Sequence, residues 1–427
     1  MKRREFIKYT SQIGLGSYLT ALLRHPLQAQ ERESSYLKNL IYVHFDSGWD
    51  VTLGVDPQIK NLPLSDTALF LGYRADEILQ IENLRLGPAA HLLKSYALNS
   101  IVINGVSMLG NVSHEECRRW TQTGILERRT GGMPAMMAQS RSDDQLAQVV
   151  SGQGGLEEGR FSVSPVNPYS LRNFVNVTAS ESEDFLEPDS IIAQSQKLLN
   201  RYGVQLAHVI NQNSEIKEML VNGNTFESTQ AAIALCFQTG YARSAVVPLM
   251  PGQNSLDTHT NHAREHLPAQ KDCFEQLLSL VSFLQKIPAQ KGSHSLYDET
   301  LIVVSSDFSR EIGLNGNSLE NSGKEHNGYT NSYLLMSGGI RGGFTIGEST
   351  IQPNALNRPA AHVARNFDFE KSAAILRMSD APQFMNDPEA IKQIRPGHVV
   401  RTVASLMGFE HLLDPALTSL PKLKLLR

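Results

Sequence analysis

The chain has 427 residues, enough for two or three ordinary domains or for one large α/β domain carrying insertions. Hydrophobic residues make up 41% and charged residues 19%, a balance that supports a large buried core and excludes a disordered, collagenous or coiled-coil protein. A formal net charge of -4 leaves no basic footprint for nucleic acid, and three cysteines (Cys117, Cys236, Cys273) are too few and too scattered for a disulfide framework or a cysteine zinc cage.

The first segment is set apart from the rest. Lys2-Arg3-Arg4-Glu5-Phe6-Ile7-Lys8 precedes a short apolar run from Ile13 to Leu23, then Pro26 and a small residue, Ala29. A basic head, a short apolar centre and a small-residue exit describe an export signal, and the paired arginines point to the twin-arginine translocation machinery. The apolar run falls well short of the roughly 20 residues a helix needs to span a bilayer. An amphipathic helix that stays attached is the alternative, but it does not require Arg-Arg, Phe6 and Lys8 in that order. Residues 1–29 are therefore expected to be a cleaved signal peptide, and the protein to be periplasmic or extracellular. Cleavage would remove five basic residues and only one acid, Glu5, leaving a more acidic chain. No later stretch approaches membrane length, so no stable span is expected after cleavage.

Five short apolar runs follow. Leu40–Phe45 ends in Asp46-Ser47-Gly48-Trp49-Asp50. Ile101–Asn104 follows a helical pattern through Ala89, Leu92, Leu93 and Tyr96. Ala245–Val247 follows a helix-like stretch from Thr229 to Phe237. Thr300–Val304 follows an amphipathic pattern through Phe274, Leu277, Leu278, Val281 and Leu284, and Tyr333–Met336 closes in Ser337-Gly338-Gly339. Strands alternating with helices predict a mostly parallel sheet covered on both faces. Residues 36–427 are expected to form a single α/β domain, and about 125–223 an insertion or lid. That segment is rich in Gly, Ser, Asn, Gln and Pro, with Gly152-Gln153-Gly154-Gly155 and Ser164-Pro165-Val166-Asn167-Pro168 as breakers.

Ligands of open α/β sheets bind beyond the carboxyl ends of the strands, and polar residues collect there. The first run is followed by Asp46 and Asp50, the second by Ser113, His114 and Glu116 at a helix start. The third is followed by Asp257-Thr258-His259, and the fourth by Asp307-Phe308-Ser309-Arg310 and later Glu325-His326. Each has a plain structural use. Asp after a strand caps a turn, Ser113 and Glu116 fit a capping box, and a histidine in a polar loop is ordinarily solvated. Together, however, the carboxylates and imidazoles suit a divalent-cation site, with zinc, manganese or calcium as candidates and one or two ions.

The chain resembles the domain of unknown function 1501 family. The resemblance rests on the twin-arginine leader, the strand ending in Gly48-Trp49-Asp50, the Ser113-His114 helix start and Asp257-Thr258-His259. It also rests on Ser305-Ser306-Asp307-Phe308-Ser309-Arg310, where that family usually shows Ser-Glu-Phe-Gly-Arg, and on Gly323-Lys324-Glu325-His326, where it shows Gly-Arg-Asp-His. That family resembles sulfatases and the alkaline phosphatase superfamily, which implies a three-layer α/β/α sandwich with a metal site at the strand ends. Residue by residue, the resemblance implies Asp46 or Asp50 as the first metal ligand and Ser113 as nucleophile with His114 beside it. It implies Asp257 and His259 as a metal pair, Asp307 as the acid of a second position and His326 as a late ligand. Two departures matter. Phe308 stands where alkaline phosphatases carry His, so the second position is expected to lack an imidazole. Cys117-Arg118-Arg119-Trp120-Thr121 does not supply the Cys-x-Pro-x-Arg of sulfatases.

The resulting expectation is an exported metal-dependent hydrolase acting on a small anionic phosphate or sulfate ester. Ser113 would attack, His114 or His326 would shuttle protons, and Arg310 or Arg118 would clamp the anion. The alternative is a non-catalytic periplasmic binding or assembly protein that keeps the fold. A redox role finds no Gly-x-Gly-x-x-Gly, no Cys-x-x-Cys-His and no cysteine cluster.

Overall fold

A computed structural model describes residues 37–425 apart from 60–72, 128–129, 142–146, 152–154, 162, 177–190, 253–254, 290–293, 319, 354–355, 357–359, 371–372 and 375–391; for 191–201 it describes the backbone alone. The expected signal peptide, 1–29, lies outside the described residues.

Eight strands form the central sheet: β1 (Asn39–Phe45), β2 (Ser100–Ile103), β3 (Ala147–Ser151), β4 (Val163–Val166), β5 (Ser244–Leu249), β6 (Thr300–Ser306), β7 (Tyr333–Met336) and β8 (Phe344–Ile346). Their spatial order is β8-β2-β7-β6-β1-β5-β3-β4. Strand β7 runs antiparallel to both neighbours; every other pairing in the sheet is parallel. All five apolar runs are strands of this sheet.

The longer α-helices among the described residues are α1 (His114–Thr123), α2 (Met133–Arg141), α3 (Ile191–Gln212), α4 (Ser214–Val221), α5 (Thr225–Thr239), α6 (His262–Lys286) and α7 (Pro396–Met407). The pattern through Ala89 and Leu93 forms a 3-10 helix, Pro88–Asn99. Because side chains alternate along a strand, β1 feeds two cores. Ile41, Val43 and Phe45 pack with Phe237 of α5 and with Phe274, Leu277 and Val281 of α6. Leu40 and Tyr42 join Met133 and Met136 of α2 and Val399 and Val403 of α7 on the opposite face. The result is a three-layer α/β/α sandwich.

Within 125–223, the segment read as an insertion or lid, β3 and β4 extend the central sheet beyond β5. The Pro165 breaker sits inside β4, an edge strand, with its side exposed. Proline is tolerated there because an edge strand leaves one row of backbone groups unpaired.

The turn after β1 is steep. Ser47 and Gly48 both adopt positive φ, 77° and 86°, and a Cβ at Gly48 would lie 2.6 Å from the Phe308 ring. Glycine takes that conformation without steric cost, which lets the β1 turn lie against the residue that follows Asp307. Among the described residues no helix is long and apolar enough to cross a membrane.

Candidate metal centre

Five segments bring nitrogen and oxygen donors to the carboxyl ends of the central strands. His44 and Asp46 come from the end of β1, Asp307 from just beyond β6, His114 from the first position of α1, Asp257 and His259 from the segment between β5 and α6, and His326 from a two-residue ladder in which it faces Arg310. Two groups of side chains have ligand atoms all within 4.8 Å of one another: His114, Asp257 and His326; and His44, Asp46 and Asp307.

In the first group, His326 Nε2 lies 3.0 Å from Asp257 Oδ1. His259 Nε2 is 3.1 Å from the same oxygen and 3.0 Å from His326 Nε2. His114 Nε2 stands 3.8 Å from Asp257 Oδ2. The far nitrogens of two of these rings are taken up by carboxylates: His114 Nδ1 by Asp307 Oδ2 at 2.6 Å, and His259 Nδ1 by Glu325 Oε2 at 3.0 Å. An ionised carboxylate only accepts, so these contacts assign the ring protons to the far nitrogens. In the neutral form of these two rings Nε2 carries the lone pair and faces Asp257, whereas His326 Nε2–H donates to Asp257 Oδ1. Orientation of a ligating imidazole by a carboxylate on its other nitrogen is the usual second layer of a metal site. Donors that each sit about 2 Å from an ion stand about 3–4 Å apart, so the residues fit a small divalent cation.

The electrostatics agree. Burial opposes ionisation of Asp257, yet its bonds to Arg310 and His326 bring it down to about 2. Burial likewise opposes ionisation of Asp307, but His44 and His114 hold it far below the ordinary carboxylate range. The bond to Asp307 raises His114. Burial lowers His326, with Arg310 and His114 adding to the effect, despite its contact with Asp257. Phe308 is fully buried, its ring centroid 4.3 Å from that of His326 and 4.7 Å from that of His114. It forms an apolar wall that limits both imidazoles to few orientations.

The loop carrying His326 is closely fitted. A Cβ at Gly323 would lie 1.9 Å from the His259 carbonyl carbon, so the two backbones touch there. Asn315 donates to both His259 O and Glu325 Oε1, tying the histidine and its orienting carboxylate together.

Three expected residues make structural contacts of their own. Ser113 is exposed, and its hydroxyl accepts from Glu116 N–H at 3.5 Å as the N-cap of α1. Glu116 does not complete a capping box; its carboxylate accepts from Asn111 Nδ2 instead. Arg310 is no open anion clamp. Its buried guanidinium donates to the carbonyls of Gly48, Lys324, Ser47 and Leu256 and to Asp257, fastening the loops to each other. Asp50 belongs to a separate, buried cluster, with Lys324 Nζ at 2.6 Å and His262 Nε2 at 3.1 Å from Oδ2.

That cluster closes on itself. Burial opposes ionisation of Asp50, but Lys324 and His262 keep it ionised far below its usual range. Burial keeps His262 (about 4) and His266 neutral. The protons are then assigned as follows: Asp50 N–H donates to His266 Nε2 and Gln270 Oε1, His266 Nδ1–H to Thr258 Oγ1, Thr258 O–H to His262 Nδ1, and His262 Nε2–H to Asp50. Thr258 lies between Asp257 and His259, so the ring anchors the segment that supplies both.

His44 was hidden in the sequence because it sits inside an apolar run. The period of two along β1 is the signal that separates it, since it shares a side with Tyr42 and Asp46 and not with Val43 and Phe45.

A three-layer α/β sandwich with a His/Asp cluster beyond the strand ends is thus the class the fold and site define. The chain belongs to the family described as protein of unknown function DUF1501, whose profile matches residues 182–401. No curated protein matches the chain. Among solved structures it is similar to the lipoteichoic acid synthase LtaP from Listeria monocytogenes, with TM-score 0.36 and 9% identity over 72% of this chain and 67% of that one. It is also similar to a phosphonate monoester hydrolase from Silicibacter pomeroyi (TM-score 0.33, 11% identity, 72% and 69% covered). A third similar structure is the PsFucS1 sulfatase from Pseudoalteromonas sp. (TM-score 0.31, 9% identity, 81% and 68% covered).

Proposed function

We propose that the protein is an exported, metal-dependent hydrolase of phosphate or sulfate esters, using a cation held by His114, Asp257, His259 and His326. The observation that carries this reading is the pair of carboxylates, Asp307 and Glu325, on the far nitrogens of His114 and His259. A nitrogen-rich set favours zinc or manganese over calcium, which takes oxygen ligands. Bound there, the cation supplies Lewis acidity toward a phosphoryl or sulfuryl oxygen. The chain supplies the rest. Ser113, next to His114 and exposed, is the nucleophile in this reading; its oxygen accepts a helix amide and keeps its own proton to release. Helix-start amides favour negative charge nearby. Phe308 keeps water from one side of the imidazoles. His114 serves as a ligand here and not as the proton shuttle.

One observation favours the non-catalytic alternative: the Arg310 guanidinium is spent on backbone carbonyls and Asp257, which leaves the anion without that clamp. Aryl phosphate monoesters, phosphodiesters and aryl sulfates offered to zinc- or manganese-loaded protein separate the two. Hydrolysis of one class, lost in a folded His259→Ala/His326→Ala variant, is the expected result. A fully loaded wild type inert toward all three classes would make this a binding protein. Export rests on Arg3 and Arg4. Changing both to lysine is expected to hold the precursor in the cytoplasm, and normal export of that variant would remove the twin-arginine route.

A further inference from the structure

Apart from the cation cluster, Asp56, Ser349 and His362 meet in the interior, all three almost wholly buried. Asp56 comes from the segment after β1. Ser349 and His362 come from two antiparallel strands, Ser349–Pro353 and Ala360–Ala364. The Ser349 hydroxyl has three polar neighbours: it is hydrogen-bonded to Asp56 Oδ2, lies 2.6 Å from His362 Nε2, and accepts from Gln58 Nε2 at 3.0 Å. The same Gln58 nitrogen donates to Asp56 O and Oδ1, which fixes the orientation of its amide. A hydroxyl has one proton and two lone pairs. Gln58 can only donate, so it occupies one lone pair. The other lone pair and the proton are left for Asp56 and His362, one each. Whichever of the two Ser349 donates to, it must accept from the other.

We infer that Asp56, Ser349 and His362 form a buried proton relay, in which ionisation of Asp56 moves the proton of the His362 ring from Nδ1 to Nε2. With Asp56 neutral, its O–H donates to Ser349 Oγ, Ser349 donates to His362 Nε2, and the ring carries its proton on Nδ1. With Asp56 ionised, Ser349 donates to the carboxylate and His362 Nε2–H donates to Ser349, which leaves the lone pair on Nδ1. Between the two states Asp56 passes its proton to Ser349, Ser349 passes its own to Nε2, and Nδ1 gives one up. The net change is a single proton lost to solvent, and the ring is neutral throughout. Nδ1 is buried and meets no hydrogen-bond partner, so no neighbour fixes the tautomer from that side. A second proton does not fit, since Asp56 O–H, His362 Nε2–H and Gln58 would then aim three donors at two lone pairs.

The surrounding charges place the change. Burial pushes Asp56 up to about 6 against Ser349, Arg85 and Gln58, with Glu348 adding to the rise. Burial brings His362 down to about 4 against Asp50, with Lys324 adding to the fall. The relay therefore turns over near pH 6, well above the point at which the ring would charge. It involves none of the proposed cation ligands.

Nitrogen NMR of the full chain carrying isotope-labelled histidine reads the tautomer directly, with the His362 signals assigned through the polypeptide backbone. In wild type the ring proton is expected on Nδ1 at about pH 5 and on Nε2 at about pH 7.5, on either side of the Asp56 ionisation. In Asp56→Asn, which cannot ionise, the tautomer is expected to be the same at both pH values. Ser349→Ala breaks the line between the two groups and should likewise hold one tautomer; it serves as the second variant where Asp56→Asn does not fold. An unchanged tautomer in wild type, a ring protonated on both nitrogens at about pH 5, or a change that persists in Ser349→Ala would each overturn the relay.

Discussion

Asp307 and His114 meet at 2.6 Å through Oδ2 and Nδ1, the carboxylate almost wholly buried and the imidazole half-exposed. The contact spends the buried charge on orienting a ring whose other nitrogen faces Asp257. Removing such an outer partner typically lowers metal affinity about 10–100-fold. Asp307→Asn is therefore expected to weaken zinc binding by at least about tenfold. Unchanged affinity in a folded variant would mean that His114 is not oriented through Asp307.

Asp50 and Lys324 are both fully buried. Removing one partner strands the other, at a cost of about 3–5 kcal/mol, whereas replacing both by apolar groups of similar size is often nearly neutral. Asp50→Leu should thus be strongly destabilised in urea unfolding, and the Asp50→Leu/Lys324→Met double variant less so. A double variant that loses as much as the sum of the single changes would show that the two charges do not act as a pair.

Burial raises Asp56 to about 6 from 3.8 and lowers the nearby His362 to about 4 from 6.5. Ser349 hydrogen-bonds to both. The stability tied to neutral Asp56 is fully present below pH 3.8 and lost as pH rises through about 6. That tied to neutral His362 is fully present above pH 6.5 and lost as pH falls through about 4. The two slopes oppose each other in the same window. Asp56→Asn removes the first, so its stability relative to wild type should improve from pH 4 to pH 7, by on the order of 2–3 kcal/mol. Unfolding curves of both proteins at the two pH values that stayed parallel would contradict the raised carboxyl.

Ser113→Ala removes the N-cap of α1 and should cost about 0.5–2 kcal/mol. If Ser113 also attacks the ester, turnover disappears while the helix and the metal content persist. Turnover that survives in Ser113→Ala would reduce the serine to its capping role.

The five principal strands were legible because each is a short apolar run that ends abruptly. Strands β3 and β4 were not, since Gln148, Ser164 and Pro165 break their apolar pattern; β4 is an edge strand and tolerates Pro165. The site was legible as a set of strand-end residues but not as a geometry. Asp46 and Asp50 follow the same strand within one turn, and only the fold sends one toward Asp307 and the other into the interior with Lys324. Arg310 read as a clamp because an arginine near carboxylates is expected to meet an anion; its carbonyl partners come from loops distant in sequence. His44, whose Nε2 lies 2.7 Å from Asp307 Oδ1, sits inside an apolar run, where local motifs do not reveal it.

The hydrogen-bonded ring through Asp50, His266, Thr258 and His262 has a fixed sense of rotation. One of its four donors is a backbone amide, which cannot exchange roles with its acceptor as a hydroxyl or an imidazole can. His266 Nε2 also lies 3.0 Å from Gln270 Oε1, so both face the same amide N–H of Asp50. The ring therefore has no vacancy for an added proton and none to give away, in keeping with the depressed basicity of both imidazoles. The ring holds Thr258 through two imidazoles, and with it the segment bearing Asp257 and His259.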